Sequence, residues 1–223
     1  MKKHRLTIYA LVACSVLYYT EQYIGVSYAY KASLKVFLFF IFPLLGIYRM
    51  KETRIRDFLG LEHVRWVDIK LGLMIGGIAF LTLIGLAVLF VPMIDFVSMR
   101  GELAHKLQVT KKTFIFVGLY ITFINSFLEE IFFRGVLLLS YLRNKQKVFG
   151  ILFSAILFGV YHMAMFQTWF PPLLVVLCVL GLIFVGISFN LINIKTKSFI
   201  NSWIIHIIAD SAIMLVGYKM LYM

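Results

Sequence analysis

The sequence predicts an all-α, polytopic membrane helical bundle of about seven transmembrane helices, because of its composition and its long apolar runs. Hydrophobic residues make up 62% of the 223 residues and charged residues only 14%, with a mean hydropathy of +0.94. A soluble domain is about 45–50% apolar and about 25% charged. Its interior cannot hide such an excess of apolar side chains, so lipid must surround most of them. A spanning helix needs roughly 20 apolar residues, and the chain has room for about seven.

Apolar runs separated by short polar segments supply the predicted spans. They cover residues 6–25, 34–48, 69–94, 113–142, 148–166, 172–194 and 199–218. The second run is short and contains Pro43, so it is the least regular of the set. The sequence shows no internal repeat and no flexible linker. Residues 1–223 are therefore predicted to form a single membrane domain.

The distribution of basic residues predicts the orientation of the chain. The net charge is +12, and Lys and Arg are concentrated in the N-terminal segment and in the loops near 49–70, 143–147 and 195–197. The alternate loops hold about half as many, Lys31 and Lys35 among them. The positive-inside rule then places the N-terminus in the cytoplasm and the C-terminus outside the cell membrane. The basic residues form no long stripe, which argues against nucleic acid as a partner. The predicted partner of the apolar surface is the lipid bilayer.

Residues 51–70 are too polar to span a membrane, yet apolar side chains recur among their charges. This pattern predicts an amphipathic segment that lies in the cytoplasmic interface. The two cysteines, Cys14 and Cys178, lie inside apolar runs and lack the spacing of a disulfide or metal motif.

Ionisable residues inside apolar runs indicate a functional site, because their burial is costly. The fourth run contains Glu129, Glu130 and Arg134. Glu130 and Arg134 are four residues apart, within ion-pair reach on one helix face. Glu129 is turned about 100° away and lacks that partner. We therefore interpret Glu130 as a structural carboxylate and Glu129 as the one available for proton chemistry.

The fifth and seventh runs contribute further polar groups at a similar depth. His162 follows Phe158 by one helical turn, and His206 precedes Asp210 by four residues, so that this carboxylate can orient the imidazole. At about 1.5 Å per residue, Glu129 and His162 lie near 20 Å from the basic loops, and His206 slightly less. Three helices can therefore bring these groups together. Two simpler interpretations stay open: each histidine packs by hydrogen bonding, and the Glu–Arg pair only joins helices.

These residues form three ordered motifs that resemble a known family. Residues 129–135 (EEIFFRG) match EExxxR, residues 158–162 (FGVYH) match FxxxH, and residues 206–210 (HIIAD) match HxxxN/D. The ordered set is similar to the CAAX-protease and bacteriocin-processing family, also called CPBP or ABI. The resemblance covers residues 113–217, the expected peptidase core. Residues 57–61 (DFLGL) also resemble a stretch common in bacterial members.

The resemblance implies an intramembrane endopeptidase, a hydrolase that cleaves a membrane-associated peptide or protein. Glu129 with His162 would activate a water molecule, and His206 would stabilise the oxyanion. Asp210 occupies a position where Asn is common, and an ionised carboxylate cannot donate a hydrogen bond to an oxyanion. Its role therefore stays open between donor and charge-balancing group. The supporting residues implied by the family are Glu130, Arg134 and Phe158.

Metal dependence is a separate question. The helical zinc signature HExxH is absent, but Glu129, His162 and His206 would make a three-ligand site with an open water position. The family has been described both as metalloprotease and as metal-independent. A tightly bound zinc is not expected, and no other cofactor is predicted.

Two other functions remain open from the sequence. Relatives tied to bacteriocin self-immunity allow a non-proteolytic membrane scaffold or immunity protein. Buried Glu and His also serve as proton relays in transporters, although neither inverted repeats nor paired broken helices are visible. For a bacterial source, a bacteriocin or pheromone precursor is a better substrate than a prenylated protein. The oligomeric state is not predicted.

Overall fold

A computed structural model describes residues 3–49, 54–90, 101 and 112–222, and these residues are helical or in short connections, without a strand. The predicted all-α membrane bundle is confirmed. Seven long helices lie in the described part of the chain: α1 (Lys3–Tyr23), α2 (Tyr28–Arg49), α3 (Trp66–Phe90), α4 (Phe114–Arg143), α5 (Lys147–Phe166), α6 (Pro172–Thr196) and α7 (Ile200–Tyr222).

Six of these helices, α2 to α7, are long and apolar enough to cross a membrane. The chain is therefore a membrane protein. Helix α1 is 21 residues long, but the Tyr, Thr, Glu and Gln residues of its second half make it less apolar. It still packs into the bundle, because residues spaced three or four apart form a buried face. This face consists of Leu6, Ala10, Ala13, Cys14 and Leu17.

Helix α2 is longer than the run 34–48 suggested. It begins at Tyr28, where the side chain of Ser27 caps it by accepting a hydrogen bond from the Tyr30 backbone N–H. A π-helical turn at Phe37–Ile41 ends two residues before Pro43. Proline lacks an N–H and crowds the carbonyl four residues earlier, and the wider π-helical turn accommodates both effects.

Lys31 and Lys35 lie inside α2 and are buried, which corrects the assignment of both residues to a loop. Their ammonium groups form ion pairs inside the bundle. The positive-inside rule counts only loop residues. When Lys31 and Lys35 are left out of the count, the difference in basic residues between the two sides of the membrane increases, and the predicted orientation rests on this difference. Residues 91–100 and 102–111, which include the end of the third apolar run, lie outside the described residues.

A short segment between α2 and α3 packs against the turn that joins α6 to α7. It contains a helical turn at Ile55–Phe58 and a 3₁₀ turn at Leu61–His63. Leu59 is buried, and Gly60 has a φ of 69°. A Cβ atom at Gly60 would lie 1.9 Å from the carbonyl oxygen of Lys197. Residues 51–53 lie outside the described part, and the interfacial position of 51–70 stays a prediction.

Gly60→Ala should therefore destabilise the protein by about 2 kcal/mol or more, because it adds left-handed strain to a backbone clash. Gly77→Ala is the matched control, since nothing lies within 4 Å of a Cβ atom there. Alanine is also the better helix former at that position of α3. Thermal unfolding in detergent measures both variants. Equal midpoints for Gly60→Ala and the parent protein would contradict the close contact with Lys197.

Helix α4 occupies the centre of the bundle. All eight residues of its segment Ile131–Leu138 are buried, and Phe132 stacks on Phe39 of α2 with ring centroids 4.1 Å apart. Segments Tyr120–Asn125 and Ile131–Leu138 are π-helical and flank the α-helical turn Ser126–Glu130. Such π-helical insertions occur frequently at functional sites. The fold thus places the two adjacent glutamates in the bundle interior.

Candidate active site

The side chain of Glu129 is fully buried and faces both intramembrane histidines. Its Oε2 atom lies 3.2 Å from Nε2 of His162 on α5 and 3.7 Å from Nε2 of His206 on α7. One ligand atom from each of the three side chains lies within 4.8 Å of the other two. Three separate helices therefore bring together the three residues that the sequence placed at similar depth.

The second nitrogen of each imidazole is held by an acceptor. Nδ1 of His162 lies 2.8 Å from the carbonyl oxygen of Phe158, and Nδ1 of His206 lies 3.0 Å from Oε1 of Glu130. A carbonyl oxygen only accepts, and so does an ionised carboxylate, so each Nδ1 carries the proton and donates. Both Nε2 atoms then point towards Oε2 of Glu129. Among the described residues, that oxygen has no hydrogen-bond partner, so the three atoms converge on a place for a shared proton, water or cation.

The predicted ion pair between Glu130 and Arg134 is present. The distance from Oε1 to Nη1 is 2.8 Å, and both side chains are fully buried. The guanidinium group lies over the rings of Phe158 and Phe189, at 4.1 and 5.1 Å from their centroids. Because Oε1 of Glu130 also accepts from His206, this carboxylate joins the arginine to the imidazole of His206.

Asp210 lies next to His206, but not at hydrogen-bond distance. Its Oδ1 atom is 3.7 Å from Nε2 of His206, which is too long for a hydrogen bond. The expectation that Asp210 fixes the imidazole by a hydrogen bond is therefore wrong. Glu130 provides that contact from α4 instead.

Glu129 also has a charged partner that the sequence argument missed. Nζ of Lys35 on α2 lies 2.5 Å from Oε1 of Glu129. Asn125 donates its amide to the same oxygen at 3.0 Å and accepts a hydrogen bond from Lys35. The prediction that Glu129 lacks an ion-pair partner therefore holds only for partners on α4 itself. The position of Lys35 within an apolar run was the feature of the sequence that could have indicated this partner.

The donor set of Glu129, His162 and His206 fits a divalent cation. Tetrahedral ligands at about 2.0–2.1 Å from Zn²⁺ lie about 3.4 Å apart, close to the 3.2 and 3.7 Å found from Oε2 to the two nitrogens. Both Nδ1 atoms also donate to acceptors, as in most histidine metal ligands. A bound zinc would supply an acidic water molecule. The Lys35 ammonium on the same carboxylate opposes a cation there.

A small cavity lies beside this cluster, between α1, α2, α4 and α5. Its volume is about 90 Å³, and Lys35, Asn125 and Tyr161 are among its lining residues. A single water needs roughly 10–15 Å³ by this measure, so several waters fit. The cavity thus adjoins both side chains that hold Oε1 of Glu129.

Comparison with known proteins gives a family resemblance for one segment of the chain. Residues 111–212 match the family model of the type II CAAX prenyl endopeptidase Rce1-like proteins. The matched segment contains all three motifs, from Glu129 to Asp210. This segment, somewhat less than half of the chain, is similar to the Rce1-like family. The match bears out the resemblance to the CPBP family and supports, at the level of the family, an intramembrane CAAX protease-type function. No curated protein and no solved structure matches the chain.

Proposed function

We propose that this Rce1-like protein is an intramembrane endopeptidase that hydrolyses a peptide bond of a membrane-associated peptide or protein, with Glu129 as general base. One observation carries the proposal. A fully buried carboxylate oxygen faces two imidazole Nε2 atoms at 3.2 and 3.7 Å, while both Nδ1 atoms are held by acceptors. The family match supports the reaction class.

Water activation follows from the position of Glu129 and His162. A water oxygen about 2.8 Å from both Oε2 and Nε2 has ordinary hydrogen-bond geometry, because these atoms are 3.2 Å apart. Oε2 takes a proton from the water as its oxygen attacks the peptide carbonyl carbon. When the C–N bond breaks, this proton passes to the amine leaving group. The carboxylate is then regenerated.

His206 is suited to stabilise the tetrahedral oxyanion. Its Nδ1 already donates to Glu130, so a second donation from Nε2 requires the imidazolium form. The carboxylates of Glu130 and Asp210 lie 3.0 and 3.7 Å from the ring nitrogens and balance that charge. We assign Asp210 this balancing role, since an ionised carboxylate cannot donate to an oxyanion.

We propose that this mechanism operates without zinc. We expect active, purified protein to contain well below one zinc per chain, because the Lys35 ammonium neutralises the carboxylate that would bind the metal. Elemental analysis together with peptidase activity measures this. A content near one zinc per chain that is lost in His162→Ala, together with activity, would contradict it and assign Glu129, His162 and His206 as ligands.

We infer from the basic loops that the protein lies in the cell membrane with a cytoplasmic N-terminus. Asn144 between α4 and α5 and Thr168 between α5 and α6 are exposed at opposite ends of α5. In a chain without Cys14 and Cys178, a cysteine at Thr168 should react with an impermeant maleimide in intact cells. A cysteine at Asn144 should react only after permeabilisation, and the reverse pattern would invert the orientation.

Peptide cleavage by the purified protein tests the proposed function. The probes are an internally quenched farnesylated peptide that ends in a CAAX sequence and the same peptide without the lipid. We expect a single cut, located by mass spectrometry, which is lost in His162→Ala. A scaffold or immunity protein would instead cleave neither probe and would keep its cellular effect after this substitution.

A further inference from the structure

The ion pair between Lys35 and Glu129 stands apart from the three motifs. Lys35 lies on α2, outside the segment that matches the family model. Its side chain is only 8% exposed, and that of Glu129 is 0% exposed. A buried ammonium is costly unless it is paired and hydrogen-bonded, and here both conditions are met.

The surroundings of Lys35 fix its ammonium group in one place. Nζ donates to Glu129 and to Asn125. It also lies 5.1 Å from the ring centroid of Tyr161 and 5.7 Å from that of Phe39, within the range of cation–π attraction. Four contacts, two from α4, one from α5 and one from α2 itself, therefore define its position.

The two carboxylate oxygens of Glu129 have different partners. Lys35 and Asn125 both donate to Oε1, whereas Oε2 faces the imidazoles of His162 and His206. With Oε1 held, rotation of the carboxylate group is restricted. Oε2 is then kept where the water and the scissile carbonyl must meet.

We propose that Lys35 is a positioning residue of the peptidase, which holds Oε1 of Glu129 so that Oε2 acts as the base. This inference rests on the proposed function. Lys31 offers an internal comparison, because it lies one turn earlier on α2 and pairs with Glu21 at 3.0 Å. Its side chain is 10% exposed, so burial and charge match, but the carboxylate of its ion pair is Glu21 and not Glu129.

Lys35→Met keeps the linear side chain over the aromatic rings and removes the charge. We expect kcat to fall by about 100-fold, the cost of misplacing a catalytic group by an ångström, with KM nearly unchanged. Lys31→Met should keep the kcat of the parent enzyme. A purely structural role for Lys35 would instead reduce the yield of folded protein and leave kcat per folded molecule intact.

Chemical rescue tests whether the ammonium itself is responsible. Lys35→Ala removes a propylammonium-sized portion of the side chain next to the existing cavity. Added n-propylammonium should restore kcat in a saturable manner, whereas 1-propanol, of similar shape but uncharged, should not. Equal effects of the two compounds would overturn the assignment.

A double-mutant cycle in thermal unfolding tests the pair without any substrate. Lys35→Met should lower the unfolding midpoint by roughly 6 °C or more when Glu129 is present, because a buried carboxylate is left unpaired. In the Glu129→Gln background the same substitution should have a much smaller effect. Equal losses in both backgrounds would overturn the pairing.

The two proposals can fail separately. Wild-type protein that cleaves no probe contradicts the proposed function. An enzyme that cleaves the probe but shows no coupling between Lys35 and Glu129 contradicts only the role of Lys35.

Discussion

Glu129→Gln should reduce kcat for peptide hydrolysis by about 10²–10⁴-fold, the usual contribution of general acid–base catalysis. Glutamine has the same shape, and its amide oxygen can still accept the hydrogen bonds that Oε1 receives from Lys35 and Asn125. Its amide nitrogen replaces Oε2 and cannot take a proton from water. The binding of substrate should change little. Steady-state kinetics with the quenched peptide separate the two effects.

The control for this substitution is Glu21→Gln. Glu21 is also paired with a lysine of α2 and lines the same cavity, but it contacts neither histidine. We expect its kcat to equal that of the parent enzyme. If Glu129→Gln retained the parent kcat, another residue would have to be the base.

Arg134→Met should lower the free energy of unfolding by about 3–5 kcal/mol, the cost of removing one partner from a buried ion pair. Both Arg134 and Glu130 are 0% exposed, so the carboxylate loses its guanidinium partner in the bundle interior. The guanidinium also lies 4.1 Å from the ring centroid of Phe158, and that contact is lost as well. Thermal or denaturant unfolding in detergent gives the change.

Two further variants show whether the ion pair is the cause. Glu130→Gln combined with Arg134→Met should be more stable than Arg134→Met alone, because no unpaired charge is left. Arg143→Met, at the exposed end of the same helix, should cost less than about 1 kcal/mol. A double variant no more stable than the single one would contradict the pairing.

The sequence predicted the positions of the central residues because membrane burial restricts the choices. An ionisable residue in an apolar run must face the bundle interior, and counting residues from the basic loops gives its depth. Glu129, His162 and His206 were placed at one level in this way, and the structure brings their ligand atoms within 4.8 Å. The motif spacing of four residues also predicted the pair of Glu130 and Arg134.

Contacts between helices were harder to predict. His206 and Asp210 have the spacing of a local pair, but Glu130 of α4 takes Nδ1 of His206 at 3.0 Å. The hydrogen bond is thus made across helices, while Asp210 lies 3.7 Å from the other ring nitrogen, Nε2. Lys35 was missed for the same reason. Its partner is 94 positions away in the chain, and helix periodicity carries no information about which helix packs opposite.

The extent of α2 shows a second limit. The run 34–48 was short and contained Pro43, which disrupts regular helices. Lys31 and Lys35 were assigned to a loop, because lysines usually mark membrane boundaries. The π-helical turn at Phe37–Ile41 absorbs the proline, and Glu129 pairs with Lys35 inside the bundle. Both compensations come from local geometry or tertiary contacts that a composition count cannot show.

Single-turnover cleavage in H₂¹⁸O tests the role of Glu129 most directly. If Glu129 activates water, one ¹⁸O atom should appear in the new carboxylate of the N-terminal product fragment, and none in the Glu129 side chain. Mass spectrometry of the product and of the digested enzyme locates the label. Label in the Glu129 carboxylate, or a product fragment covalently bound to it, would show that Glu129 attacks the peptide itself and would contradict water activation.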